Sequence, residues 1–162
     1  MTYVKICGLR DLTSVRVASE AEADFLGIVF VPNVRRSIPL EHAAEMLEEF
    51  RMGNKQRRTP QFVGLFANQT LQTVNRIVRT CKLDWVQLCG EESIEYCQLA
   101  LVPTIKVVHV QATNDTARET EQILRTMDAY TQAGSTIVLD RQHSKTPGGS
   151  GLSFDWTIAE RV

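Results

Sequence analysis

Six short runs rich in β-branched and aromatic residues alternate with helix-like stretches, and this alternation limits the possible folds more than any other feature of the chain. The runs cover residues 3–7, 25–31, 62–67, 85–89, 104–109 and 136–140. Between them, apolar residues recur at the i, i+3, i+4, i+7 spacing of a buried helix face, as in Leu40, Ala43, Ala44, Leu47 and Phe50 or in Leu71, Val74, Ile77, Val78 and Cys81. Such alternation indicates parallel strands covered by helices.

The two faces of each predicted strand separate a barrel from a doubly wound sheet. Side chains alternate along a strand, so polar residues can be assigned to one face and apolar residues such as Val4 and Ile6 to a helix-covered face. The residues assigned to the polar face are Lys5, Cys7, Gln87, Cys89, Lys106 and Asp140. A barrel gathers polar groups around one mouth, whereas a doubly wound sheet would bury them under helices. The absence of G-x-G-x-x-G after the first strand weakens a Rossmann fold without excluding a flavodoxin-like sheet. The strand faces favour a barrel, and we predict a TIM (β/α)8-type barrel.

Size, charge and hydropathy bound the class of protein. The chain has 162 residues, of which 43% are hydrophobic, and we predict one barrel domain over residues 1–162. Its net charge is −1, which argues against binding to nucleic acid. The first ten residues lack the apolar core of a signal peptide, and no apolar run approaches the ~20 residues of a membrane helix. We therefore expect a cytoplasmic protein without a membrane partner.

The four cysteines give no sign of a metal site. Cys7, Cys81, Cys89 and Cys97 include no C-x-x-C pair, and the three histidines lie far apart in the sequence. Reduced cysteines most often serve as small buried hydrophobic residues, so this is the ordinary expectation for each of them.

Cys7 is the first candidate for chemistry. It ends the first strand beside Gly8, and Lys5 lies two residues away on the same face, about 7 Å along the strand. A nearby ammonium group favours the thiolate form, which could act as a base. A buried structural thiol is the alternative.

Three further residues stand near predicted strand ends. Asp140 ends the last apolar run, where partial burial would favour its protonated form and a general-acid role, although a turn aspartate fits equally well. Arg36, in the Arg35-Arg36 pair after the second strand, could bind a carboxylate in bidentate fashion or simply be a surface arginine. Gln87 offers an amide beside Cys89 at the end of the fourth strand, which packing alone also explains.

The ordered combination of motifs resembles phosphoribosylanthranilate isomerase along the whole chain. The motifs are Lys5-Ile6-Cys7-Gly8, Arg36, Phe62-Val63-Gly64-Leu65-Phe66 with Asn68, Gln87-Leu88-Cys89-Gly90, Leu139-Asp140, Gly148-Gly149-Ser150-Gly151 and Phe154-Asp155-Trp156. Each is weak alone, but their fixed order makes chance similarity improbable.

The resemblance implies an enzyme of tryptophan biosynthesis, an aromatic amino-acid pathway. The reaction is the Amadori rearrangement of N-(5-phosphoribosyl)anthranilate to 1-(2-carboxyphenylamino)-1-deoxyribulose 5-phosphate, without a cofactor or metal. It implies that Asp140 is the general acid, Cys7 the general base and Arg36 the ligand of the anthranilate carboxylate, with Lys5 and Gln87 as further substrate-binding residues. The implied partners are this small phosphorylated substrate and either a second copy of the chain or other enzymes of the pathway.

Two departures from the family pattern qualify the resemblance. Cys89 stands where the family usually carries histidine. The 162 residues also fall short of the ~200 that a complete barrel needs at the least, so we expect six βα units, with strands seven and eight missing and the domain incomplete at its C-terminal end. The alternatives are therefore a non-catalytic barrel fragment or assembly module that retains the motifs, or another phosphosugar enzyme on the same fold, such as indole-glycerol-phosphate synthase or ribulose-phosphate epimerase.

Overall fold

The computed structural model describes residues 2–54, 59–110 and 116–141, and it describes only the backbone at residues 116, 117 and 119. Strands and helices alternate throughout these ranges. The strands are β1 (Lys5–Cys7), β2 (Phe25–Val29), β3 (Gln61–Phe66), β4 (Trp85–Leu88), β5 (Thr104–Val110) and β6 (Thr136–Arg141). The helices are α1 (Leu12–Glu20), α2 (Leu40–Gly53), α3 (Leu71–Cys81), α4 (Ile94–Gln98) and α5 (Thr116–Gln132). Each predicted run contains most of one observed strand.

The strands form one parallel sheet whose spatial order, β1-β2-β3-β4-β5-β6, is also their order in the sequence. A doubly wound sheet reverses its strand order at a switch point, whereas a barrel adds each new strand on the same side. The sequential order therefore confirms the predicted TIM-barrel type. Among the described residues, β1 and β6 are the edge strands, each with one partner.

Two apolar layers lie on opposite sides of this sheet. The layer between the strands and helices contains Leu26, Phe62 and Phe66 together with the buried faces of α2 and α3. The layer on the inner side of the sheet is smaller and consists mainly of Val29, Val31, Val63, Leu65 and Ile105, with Cys7 and Cys89 packed against it. Cys7 and Cys89 thus lie on the inner face, as the alternation predicted.

Side-chain caps fix where three of the helices begin. The Oδ1 atom of Asp11 accepts a hydrogen bond from the Ser14 backbone N–H at 2.8 Å at the start of α1. Thr70 and Ser93 cap α3 and α4 in the same way. These caps satisfy N–H groups that the helix itself leaves unpaired, and they define where α1, α3 and α4 begin.

The prediction that Lys106 shares the inner face is wrong. In the β4–β5 register, Gln87 is the partner of Ile105 and Leu88 is the partner of Lys106. Because register partners face the same side of a parallel sheet, Lys106 points with Leu88 into the strand–helix layer. The alternation in β5 shows two faces but does not say which one is inner, and here the inner face carries Ile105, Val107 and His109.

The expectation that helices cover Val4 and Ile6 is also wrong. Val4 is 48% exposed and Ile6 is 41% exposed. Helix α1 packs against α2 and β2, and it leaves the outer side of the edge strand β1 uncovered.

Candidate active site

The candidate active site is the inner face of the sheet at the carboxyl ends of the strands. Cys7 ends β1, and Cys89 directly follows β4. Cys7 and Cys89 pack against the same apolar cluster on this face, and Lys5 lies on the same face of β1 as Cys7. Four of the five predicted site residues (Lys5, Cys7, Gln87 and Asp140) occur on this face.

Arg36 and Gly8 fit tightly together beside Cys7. The Arg36 Nη1 atom donates a hydrogen bond to the Cys7 carbonyl at 3.2 Å. Gly8 has a φ of +83°, and a Cβ atom there would lie 2.5 Å from the Arg36 Cδ atom. Glycine is needed at position 8 both for this backbone conformation and for the approach of the arginine. Arg36 is exposed, and its guanidinium has further N–H donors for a ligand.

Cys89 has the properties of a neutral thiol. Burial raises its pKa to about 11, against the smaller opposing effect of a hydrogen bond from Gln87. That bond runs from the Gln87 Nε2 atom to the Cys89 Sγ atom at 3.4 Å. At neutral pH Cys89 is therefore protonated, and it is a poor candidate for a base.

Gln87 itself is 8% exposed, and its Oε1 atom is buried without a hydrogen-bond partner among the described residues. Since its amide N–H₂ faces Cys89, the free acceptor is available to a donor from a ligand. A hydrogen bond to a buried acceptor avoids a destabilisation of about 1–3 kcal/mol, so the Gln87 Oε1 atom is suited to accept one from a bound molecule.

Asp140 lies on the inner face of β6, and its register partner on β5 is His109. His109 was not among the residues predicted for the site. Its Nε2 atom lies 3.0 Å from the Cys89 carbonyl oxygen, while its Nδ1 atom is buried and has no hydrogen-bond partner in the part of the chain that the structure describes. The signal available in the sequence was a histidine next to the end of the fifth run, but the assignment of Lys106 to the inner face placed His109 on the opposite one.

A buried ion pair supports the loops that follow β3 and β4. The Lys106 Nζ atom lies 2.8 Å from the Glu92 Oε2 atom, and the two side chains are 5% and 2% exposed. Glu92 also accepts hydrogen bonds from the backbone N–H groups of Asn68 at 2.8 Å and Gly90 at 3.0 Å. Lys106 additionally donates to the Gly90 carbonyl. The loop residues beside Cys89 are therefore held from the helix side of the sheet.

Some features lie outside this arrangement. The glycine-rich motif at residues 148–151 and the Phe154-Asp155-Trp156 motif are outside the described residues. Within the described ranges, no group of three His, Cys, Asp or Glu side chains is placed to hold a metal ion. In the same part of the chain, none of the helices combines the length and apolar character needed to cross a membrane.

Comparisons with known proteins agree with this geometry. A family model described as N-(5'-phosphoribosyl)anthranilate (PRA) isomerase matches residues 4–162. The N-(5'-phosphoribosyl)anthranilate isomerase of Dehalococcoides mccartyi is 41% identical over 162 residues, which is all of this chain and 72% of that protein.

Two solved structures give the same result. The phosphoribosyl anthranilate isomerase of Thermotoga maritima superposes with a TM-score of 0.76 and 31% identity, covering 98% of this chain and 70% of that one. Another phosphoribosyl anthranilate isomerase, solved in complex with reduced 1-(o-carboxyphenylamino)-1-deoxyribulose 5-phosphate, gives a TM-score of 0.69 and 29% identity, covering 88% and 66%. Because the match to the family runs from β1, with Cys7 at its end, past Asp140 in β6, the chain belongs to the N-(5'-phosphoribosyl)anthranilate isomerase family.

Proposed function

We propose that this chain performs the isomerase reaction of its family, with Cys7 as general base and Asp140 as general acid. The observation that carries the proposal is the placement of these residues on one face of the sheet, at the carboxyl ends of its two edge strands. Acid and base must act on different atoms of one substrate, so they have to stand apart around a shared space. Barrel enzymes place their catalytic groups at this end of the strands.

The proposed reaction proceeds in two proton-transfer stages. Asp140 donates a proton to the furanose ring oxygen of N-(5-phosphoribosyl)anthranilate, and the C1–O bond breaks to give an open-chain Schiff base. Cys7 then removes the proton from C2, which produces an enolamine. Tautomerisation of the enolamine gives the ketose, 1-(2-carboxyphenylamino)-1-deoxyribulose 5-phosphate. No atoms are gained or lost, as an isomerisation requires.

Arg36 is the proposed ligand of the anthranilate carboxylate. Its hydrogen bond to the Cys7 carbonyl at 3.2 Å keeps the guanidinium beside the base. A carboxylate bound there by the remaining N–H donors would fix the aromatic end of the substrate, and the sugar would extend from it across the inner face. Gln87, whose buried Oε1 atom has no partner within the described ranges, is proposed to accept a hydrogen bond from a substrate donor.

Lys5 is proposed to favour the thiolate form of Cys7 and to bind substrate. Both side chains are half-buried on the inner face of β1. The rate of Cys7 alkylation against pH tests the first role, because Lys5→Met removes the ammonium group while retaining a chain of similar length. We expect the rise in rate to move to higher pH in the variant, and an unchanged profile would refute this role for Lys5.

The domain, the cellular location and the partners of the chain are proposals as well. Residues 1–162 are proposed to belong to one barrel domain in the cytoplasm. The proposed partners are the phosphorylated sugar–anthranilate substrate and either a second copy of the chain or other enzymes of tryptophan biosynthesis. A Thermotoga maritima relative is described as dimeric, which supports the first of these assemblies.

A non-catalytic barrel or assembly module is the second candidate. The chain spans 72% of the length of the Dehalococcoides mccartyi relative. This candidate retains the motifs but predicts no turnover. A single activity experiment therefore separates the two candidates.

The test follows the fall in anthranilate fluorescence as the purified chain consumes N-(5-phosphoribosyl)anthranilate, corrected for spontaneous hydrolysis. General acid and base groups each contribute about 10²–10⁴-fold to a rate, so Cys7→Ser and Asp140→Asn should each reduce kcat by at least two orders of magnitude. Cys97→Ser, a buried thiol of α4 on the helix side, is the matched control and should retain kcat. Equal turnover in all four proteins would refute the assigned roles, and turnover in none would favour the non-catalytic module.

A further inference from the structure

His109 is a half-buried imidazole on the inner face of β5 that has no part in the mechanism above. Its register partner is Asp140 on β6, and its ring reaches back to the loop after β4, where the Nε2 atom lies 3.0 Å from the Cys89 carbonyl oxygen. The imidazole therefore stands between two strands whose residues have been assigned to the site.

The contact with Cys89 determines which ring nitrogen carries the proton. A carbonyl oxygen only accepts hydrogen bonds, so the Nε2 atom of His109 must be the donor. In the neutral ring the Nδ1 atom is then an acceptor. This Nδ1 atom is buried and has no hydrogen-bond partner in the described structure.

Gln87 repeats this arrangement from the neighbouring strand. Its Nε2 atom donates to the Cys89 Sγ atom at 3.4 Å, and its Oε1 atom is the second buried acceptor without a partner. His109 and Gln87 therefore both use their donor on Cys89 and both leave an acceptor unpaired. Buried acceptors in folded proteins are nearly always satisfied, and these two are placed to accept hydrogen bonds from a molecule bound on the inner face.

We propose that His109 is a further substrate-binding residue, whose Nδ1 atom accepts a hydrogen bond from a hydroxyl or amine group of the amino-sugar substrate beside Asp140. This inference rests on the proposed function, because it takes the same substrate to the same face of the sheet. Its role is to orient the sugar relative to the proposed acid, and Gln87 supplies the second acceptor deeper in the site.

Two amide substitutions separate the proposed role from a structural one. His109→Asn places an amide oxygen near the position of Nδ1 but cannot reach the Cys89 carbonyl. His109→Gln places its amide near the position of Nε2, and so retains the bond to Cys89 while losing the acceptor for substrate. A purely structural histidine should be rescued by glutamine, whereas a substrate-binding Nδ1 should be rescued by asparagine.

The experiment measures equilibrium binding of reduced 1-(2-carboxyphenylamino)-1-deoxyribulose 5-phosphate to the full chain through the fluorescence of its anthranilate group. We expect His109→Asn to remain within about 3-fold of the wild-type Kd, and His109→Gln and His109→Ala to weaken binding by ~10-fold. His42→Asn, at an exposed position on α2, is the control and should leave Kd unchanged.

Each outcome decides a separate point. If the wild-type chain binds the compound and all three His109 variants have the same Kd as the wild type, the inference is overturned and the proposed function stands. Rescue by glutamine and not by asparagine would assign His109 a structural role, and would likewise overturn the inference. If the wild-type chain does not bind the compound, the proposed function fails and the inference fails with it.

Discussion

Replacing Lys106 with methionine removes one charge from a buried ion pair and keeps most of the side-chain volume. The Lys106 Nζ and Glu92 Oε2 atoms are 2.8 Å apart, and the side chains are 5% and 2% exposed. Removing one partner of such a pair leaves an uncompensated buried charge, which lowers the free energy of unfolding by about 3–5 kcal/mol.

The two single substitutions should differ in size. After Lys106→Met, Glu92 keeps hydrogen bonds from the backbone N–H groups of Asn68 and Gly90, so we expect a loss near 3 kcal/mol. Glu92→Met strands the ammonium group and also deprives both N–H groups of their acceptor, so we expect about 5 kcal/mol. The double variant has no stranded charge, and its loss should fall well below the sum of the two.

Urea unfolding followed by tryptophan fluorescence measures these differences. With an m-value near 2 kcal/mol/M, a loss of 3 kcal/mol lowers the midpoint by about 1.5 M. The control is Arg125→Met, because the Arg125–Glu121 pair is just as close at 2.6 Å but is 78% and 65% exposed. An exposed i, i+4 pair contributes about 0.3–0.5 kcal/mol. Equal losses for Lys106→Met and Arg125→Met would refute the argument from burial.

Two further results are expected from the same chain. Gly8→Ala and Gly134→Ala should each lower stability by about 1–2 kcal/mol, because both positions have positive φ. Only Gly8→Ala should also raise KM in the fluorescence assay, since its Cβ would displace Arg36 whereas the Cβ at Gly134 meets nothing within 4 Å. Burial raises the pKa of Cys81 and Cys89 from 9.0 to about 11. Because the thiols of the unfolded chain therefore ionise first, the contribution of these two residues to the free energy of unfolding is complete below pH 9 and is lost as the pH rises towards 11. The urea midpoint of the wild-type chain should fall over that pH range, and the fall should be smaller when both cysteines are replaced with alanine. An equal fall in the double variant would show that the two thiols do not cause it.

The strands could be predicted from the sequence because their apolar runs are bounded by polar and glycine-rich segments. It was harder to predict which face of each strand lies on the inner side of the sheet. Alternation identifies two faces for a strand such as β5, but only pairing with the neighbouring strand shows which is inner. Lys106 and His109 lie on opposite faces of β5, so one wrong assignment both placed a structural lysine on the inner face and placed His109 on the helix-covered face.

Burial of single residues depends on packing that the local pattern does not contain. Val4 and Ile6 have the alternation of a helix-covered strand face, yet α1 lies over β2 and leaves them exposed. Gly8 is the opposite case, because its place after Cys7 in a strand-end motif was visible in the sequence. Its close contact with Arg36, 28 residues later, appears only in the folded chain.

The polar groups on the two sides of the sheet differ in a way that separates support from function. On the helix side, Lys106 and Glu92 are buried and meet each other and neighbouring backbone groups. On the inner side, Gln87 and His109 are also held in place, but each keeps one buried acceptor without a partner. Folding selects for satisfied polar groups because an unsatisfied one destabilises the native state. Among the described residues, the two buried side-chain acceptors without a protein partner lie on the face that carries Cys7 and Asp140, where a bound substrate would supply their donors.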